Sequence, residues 1–550
     1  METRSSAKRG NWRYIYGNDK NGSNEIDRIS ELPDALIHHI LTLLSTKTVA
    51  QTSLLSKRWR SLWYTFPDLD FDFTNSHHFS PSQHFTQSSI YSRQAYYDGL
   101  TDPISQVFNL RDKITTATNN TSSNSADIRT LRVRTTNSIS LSRLNDLIRR
   151  AVRHNVQQLE LDVITDENIM FPRSVIQCES LRILSLKSRR AAFRLPPDLS
   201  VMKTGFPSLV SFSLSNVVLI DNDHRMLLDL FSHSSFPLLT KLSIHRCLGL
   251  KHLRIGCRAL EEFELKFCDC LRSLEICCPK LVTLRVRTCF EEFYRDDDDD
   301  EIASWVKIDA PKLRSLVWEE NAVTDSSSLV NLRNLEEVSI GTLIGFGDDE
   351  NVSVAKMKSF SDFFAGLAYV RCLKFGGESN CLQILSEHIY LGERLNPFED
   401  LQTLELHVDM KKDNLSGLAC LFRSSPMLHT LILKHIISKI ERKRKWKIDQ
   451  QSASESEDFW VSQAETLKLF FHNLKIVTIH GVFKSGKEVS LPKVLLRHGK
   501  ALEEMTLCIN TKHPFYNTNI HRRQNSFRSQ VMGWPRASSS ANITIRCLNN

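Results

Sequence analysis

Between residues 128 and 507 one pattern keeps returning: an apolar residue, two of any type, then two apolar residues with one position between them. It begins as Ile128, Leu131, Val133 and recurs as Leu181, Leu184, Leu186, as Leu239, Leu242, Ile244, as Leu313, Leu316, Trp318 and as Leu401, Leu404, Leu406, ending at Leu502, Met505, Leu507. The closing alternation is the period of a strand with one buried face. One short strand cannot cover that face by itself, so the copies must stack on their neighbours in an elongated array of parallel strands. At 550 residues the chain is also longer than one compact core normally serves.

Spacing predicts what lies behind each strand. Early copies start 25 to 30 residues apart, which leaves room for a helix, and residues 141–152 place Leu144, Leu147, Ile148 and Ala151 on one helical face. Phe363, Phe364 and Leu367 do the same within residues 360–368. Leu239, Leu260 and Leu281, however, stand only 21 apart, with interleaved copies at Leu250, Leu253, Ile255 and at Leu271, Leu274, Ile276. The short segments between cannot hold a strand, a turn and a helix. This stretch is expected to carry two strands per coil, one on each face of the array.

Near the start, Ile37, Ile40, Leu41 and Leu44 recur at helical spacing behind Pro33 and Asp34, which suit a first turn. Thr46 is placed to cap a second helix with Val49 and Ala50, and after Ser56 a third stripe holds Trp59, Leu62 and Trp63. Three short helices make too small a core to stand alone, so much of this apolar surface is expected to meet another protein.

The residues Asp27-Arg-Ile-Ser-x-Leu-Pro-Asp34, with Leu54-Leu-Ser-Lys-Arg-Trp-Arg-x-Leu-Trp63, resemble the F-box of the large plant F-box/leucine-rich-repeat family. Ser45 stands where many relatives place a proline, which is expected to loosen the turn between the first two helices. The recurring pattern is that of leucine-rich repeats, and residues 474–510 are similar to the FBD module that follows the repeats in many of these proteins. The expected fold is therefore α/β: a small three-helix F-box, an irregular leucine-rich-repeat solenoid of parallel strands, and an FBD-like cap of strand, helix and strand. Residues 1–25 are expected to be a disordered N-terminus, 26–66 the F-box, 67–127 a first strand with a flexible Ser/Asn-rich insertion and one helix near 104–110, 128–470 the repeats, 471–510 the cap and 511–550 a solvated basic tail. That tail carries six Lys/Arg and no acid out of a net charge of +8.

Several signals are set aside. The first 25 residues are polar and no run of eighteen apolar residues occurs, so neither export nor membrane insertion is expected. The 13 cysteines are then expected to stay reduced. Zinc is not expected: Cys247, Cys268 and Cys289 each fall eight residues after their leading leucine, where leucine-rich repeats place Asn or Cys against turn backbone, and Asn321 holds that position in the next copy. Gly481-x-x-x-x-Gly486-Lys487 has phosphate-loop spacing, but Glu488 stands where a hydroxyl is needed, and a hairpin turn is expected there. The acidic run 296–300 and residues 439–457 are read as solvated loops, with the basic cluster 442–447 equally suited to nuclear import.

The resemblance implies a substrate-recruiting subunit of an SCF-type ubiquitin ligase, without catalytic residues, cofactor or metal. The F-box would dock on a Skp-type adaptor, and through it on cullin, using Leu32, Pro33, Ile37, Ile40, Leu41, Leu44, Val49 and Trp59. The outward positions of the concave strands, among them Lys241, His245, Glu262, Glu264, Lys266, Arg285, Arg287 and Glu319, would hold an unidentified target protein. A protein-binding scaffold outside any ligase is the alternative, and a hormone-type small-molecule receptor fits the irregular spacing less well. No membrane or nucleic-acid partner is expected, and the location is cytoplasm, nucleus or both.

Overall fold

The computed structural model describes residues 29, 31–74, 102–117, 127–165, 167–170, 173–189, 193–194, 205–216, 231–268, 271–290, 303–342, 354–376, 381–387, 395–408, 412–435, 451–481, 483, 487–510 and 520–548. The chain forms two compact units, Met1–Phe66 and Pro67–Asn550.

The first unit holds three helices, α1 (Asp34–Thr42), α2 (Thr46–Thr52) and α3 (Lys57–Tyr64). Ile37, Leu41, Val49, Leu62 and Trp63 fill its interior. The cap of α2 is Ser45, not Thr46: Ser45 Oγ accepts the Thr48 amide at 3.2 Å, and Thr46 is a buried first-turn residue. A hydroxyl cap fixes the turn that a missing proline was expected to loosen. Ser56 caps α3 in the same way, accepting the Trp59 amide at 3.3 Å.

Among the described residues of the second unit, sixteen parallel strands form one sheet, from Asp68–Asp72 at one edge to Asn542–Leu548 at the other, each beside its predecessor in the array. Burial alternates along them as the pattern requires. In Gln158–Ile164, for instance, Leu159, Leu161 and Val163 point inward. Most coils return through helices, including Leu141–Arg153, whose Leu144, Leu147, Ile148 and Ala151 are all buried, and Val354–Ala365.

Where the spacing shortens, the return is a strand. His252–Gly256, Ser273–Cys277, Trp305–Asp309 and Ser326–Val330, with Phe231–Ser232, make a second parallel sheet behind the first. Two strands per coil between residues 239 and 289 is therefore what the structure has. Aromatic clusters sit at the two changes of backing. Phe206, Phe231 and Phe236 stack where the second sheet begins, and Trp318 lies 5.6 Å from Phe363 where helices resume.

Four expectations need correction. The basic tail is not wholly solvated: helix Ile520–Met532 buries Phe527 and Val531, and strand Asn542–Leu548 pairs with Glu504–Asn510. The apolar residues there are few but fall at i and i+4, enough to seat one more coil. The strand–helix–strand read as a cap is present, but it does not end the sheet. Residues 451–457 belong to helix Gln451–Gln463, anchored by the fully buried Trp460, and are not loop. Finally, the segment after Gly481 is no hairpin. Helix Lys487–His498 crosses over between the parallel strands Ile476–Gly481 and Glu504–Asn510. The acidic run 296–300, the basic cluster 442–447 and residues 1–25 lie outside the described residues.

Candidate functional site

The helical unit presents apolar surface that its own interior does not use. α1 and the two residues after it carry two stripes: Ile37 and Leu41 face inward, while Leu36, Ile40, Leu43 and Leu44 are exposed. Leu54 and Leu55, at the turn before α3, are 80% and 69% exposed. Such grouped exposure of large aliphatic side chains marks a contact surface. Of the eight residues expected to meet an adaptor, Ile37, Leu41 and Val49 are core residues at 0–1% exposure and offer a partner nothing. Pro33, Ile40 and Leu44 are exposed, and Leu32 and Trp59 half-buried. Leu36, Leu43, Leu54 and Leu55 are the residues sequence reasoning missed, because helical spacing shows that a stripe exists but not which of two stripes turns inward. Arg58 fixes the geometry: its Nε and Nη2 donate to Asp34 Oδ1 at 2.9 and 2.6 Å, joining α3 to the start of α1, and it also donates to the Leu32 carbonyl. Burial holds the half-buried His38 below the ordinary imidazole value, against the pull of Asp34.

In the array, the strand-final turns repeat one device. Arg246, Phe267, Thr288 and Glu320 all have φ between 51° and 55°. That left-handed step sends the Arg246, Phe267 and Thr288 amides to the carbonyls of Lys266, Arg287 and Glu319 on the next coil, at 2.8, 2.9 and 3.2 Å. The following residue then donates to the strand-final carbonyl of its own coil: Cys268 to Lys266 at 3.5 Å, Cys289 to Arg287 at 3.0 Å, Asn321 to Glu319 at 3.0 Å. These thiols are backbone donors. Behind them, burial pushes Cys257 and Cys278 up to about 12, so both stay protonated. Among the described residues no group of three or more His, Cys, Asp or Glu is placed to hold a metal ion.

The long sheet's outward face holds all eight residues expected to meet a target. Register brings Lys241 beside Glu262, and His245, Lys266, Arg287 and Glu319 into one row. Lateral ion pairs tie the face together, with Lys241–Glu262 at 3.0 Å and Arg287–Glu319 at 2.9 Å, while Lys266 pairs with Glu264 of its own strand at 2.6 Å. Burial, with Arg246, Lys266 and Lys187 nearby, holds the His245 imidazole below its ordinary value, against Glu264. A second charged group, marked by no motif or spacing, surrounds Glu405: Lys434 at 2.6 Å, His407 at 2.8 Å and Lys374 at 3.7 Å. Although burial works the other way, these partners hold the Glu405 carboxyl at about 2.

A small helical unit with open aliphatic surface, joined to a repeat array with a ribbed polar face, is a modular protein-binding architecture. Family comparisons agree on both parts. The F-box domain family matches residues 29–70, and the At1g61320/AtMIF1 LRR domain matches residues 119–298. The chain is 37% identical over 551 residues to the putative F-box/FBD/LRR-repeat protein At4g03220 of Arabidopsis thaliana, covering 99% of this chain and 100% of that one. It is 24% identical to F-box/LRR-repeat protein 13 of the same plant, covering 95% of this chain and 97% of that one, and 24% identical to F-box/FBD/LRR-repeat protein At5g22660, covering 94% and 96%. The chain belongs to the plant F-box/FBD/LRR-repeat family.

Proposed function

We propose that this chain is the substrate-recruiting subunit of an SCF-type ubiquitin ligase, working in the cytoplasm, the nucleus or both. The observation that carries the reading is the open aliphatic surface of an F-box: Leu36, Ile40, Leu43, Leu44, Leu54 and Leu55 lie in water although their unit has a filled core. A Skp-type adaptor covers that surface and connects the chain to cullin. The outward face of the long sheet holds the target protein. The chain performs no bond chemistry in this scheme. It raises the target's effective concentration beside the charged ubiquitin carrier, which converts a bimolecular encounter into a nearly intramolecular one.

The test is affinity purification of the full chain from plant cells. Wild type should bring down adaptor and cullin together, and Ile40→Asp with Leu44→Asp should lose both while the array stays folded. Adaptor retained by the double variant overturns the docking assignment. Adaptor recovered without cullin from wild type overturns the ligase reading in favour of a scaffold outside it.

A further inference from the structure

The parallel register sorts the outward side chains of the long sheet into three rows, one position from each strand. From Ile183–Ser188 to Ile476–Gly481 the rows differ in charge. The row at the start of the strands holds Lys241 against Glu262 and Glu337. The middle row balances Arg285 and Lys374 against Glu264 and Glu405. The row at the strand ends holds Lys187, Lys266, Arg287 and Lys434 against the single acid Glu319, with His245, His407 and His480 among them. One rim of this face is therefore a cationic rail.

Two guanidinium groups, one in this rail and one in the middle row beside it, have donors to spare. Arg287 spends Nη2 on Glu319, but its Nε is buried and has no hydrogen-bond partner. The side chain of Arg285, two residues earlier on the same strand and half-buried, makes no ion pair or hydrogen bond among the described residues. A guanidinium offers five donors in a fixed fork that matches a carboxylate. An orphaned buried donor beside an unpaired arginine is an arrangement that a bound anion completes. The strands to one side supply a bed of small hydroxyls, Ser185, Ser213, Ser215 and Ser243, able to meet a peptide backbone.

We propose that this rim binds an acidic peptide segment of the target protein, with Arg287 of the rail and Arg285 of the adjoining middle row clamping one of its carboxylates. The proposal rests on the reading of this face as the target-holding surface. A peptide suits it better than a nucleic acid. The rail cations already share lateral acids, and Glu262 and Glu337 line the far row, so a phosphate at every nucleotide meets repulsion that widely spaced carboxylates avoid.

The experiment is selection of random peptides of about a dozen residues on the purified full-length chain, in parallel with Arg285→Gln plus Arg287→Gln and with Lys307→Gln, on strand Trp305–Asp309 of the second sheet, as a control. Wild type and the control should enrich Asp/Glu-rich peptides, and the double variant should bind the selected peptide at least about tenfold more weakly. Unchanged thermal melting of the double variant separates lost binding from lost fold, and Lys434→Gln, on a distant strand, gives a second reading of the rail. Selected peptides without acidic bias, or acidic peptides bound equally by the double variant, overturn the proposal. So does tighter binding of a single-stranded oligonucleotide than of the best peptide. Adaptor pull-down is scored separately, so failure of the ligase reading and failure of the rail are told apart.

Discussion

Asn321 accepts the backbone amide of Cys289 on its Oδ1 at 2.9 Å, across the gap between one coil and the next. The same oxygen receives the Phe290 amide at 3.3 Å, and Nδ2 donates to the carbonyls of Val286 and Glu319, both at 3.0 Å. One fully buried side chain thus satisfies four backbone groups on two coils.

Asn321→Ala should therefore destabilise the array by about 3 kcal/mol, because it leaves several buried amides and carbonyls unpaired. Asn321→Cys should cost clearly less, since Cys289 already makes the equivalent bond to its own strand-final carbonyl. Urea denaturation of the two variants decides it, and equal losses would refute the equivalence of the two ladder residues.

Thr288 is β-branched yet has φ of 51°. That region costs most L-residues about 1 kcal/mol or more, and asparagine enters it more readily. Thr288→Asn should raise the melting midpoint, the exposed Thr288–Glu320 hydrogen bond being a small loss. A lowered midpoint would mean that the hydroxyl contributes more than the backbone strain costs.

Gly417 lies in helix Lys412–Arg423, and a Cβ there would stand 2.2 Å from the Leu382 carbonyl oxygen of helix Cys381–Glu387. In an isolated helix Gly→Ala gains roughly 1 kcal/mol. Here Gly417→Ala should instead destabilise by about 2 kcal/mol or more, because neither backbone can yield cheaply. A stabilised variant would show that the helices are not in contact at this point.

Burial holds the imidazoles of His245, His480 and His498 below their ordinary value, so the unfolded chain binds more protons near pH 6 than the folded one. The stability linked to them is full above the unfolded value of roughly 6.5 and is lost as pH falls through it. Glu405, held at about 2, keeps its contribution throughout that window. Melting temperature should drop between pH 7.5 and 5.5, and drop less in His245→Gln with His480→Gln. A flat profile for wild type would count against the assignment.

Periodicity made the strands legible in the sequence, including the change to two strands per coil, because eleven residues leave no alternative return path. It also placed Cys247, Cys268, Cys289 and Asn321 at the right turn. What it could not do was weigh sparse signals. Val531 and Trp460 each hold a helix in place from within segments whose composition is basic or Ser/Glu-rich, and composition outweighed them. For α1 the limit was geometric: Ile37 and Ile40 belong to one hydrophobic pattern in sequence, yet the boundary between core and solvent runs between them. The charge of each row was invisible for a related reason, since no single strand shows it and only the register between strands assembles it.

The stretch with a second sheet behind the first has a mechanical consequence. Its coils are hydrogen-bonded to their neighbours along both faces, whereas coils returned by helices are laced along one. Tension applied along the array, such as a proteolytic machine exerts when it pulls on one end of a bound chain, is then shared by two ladders here and by one elsewhere. The ends should unravel first and this centre last. The strand carrying Arg285 and Arg287 sits inside this doubly laced stretch, so the grip on cargo proposed above would be anchored where two ladders share the load.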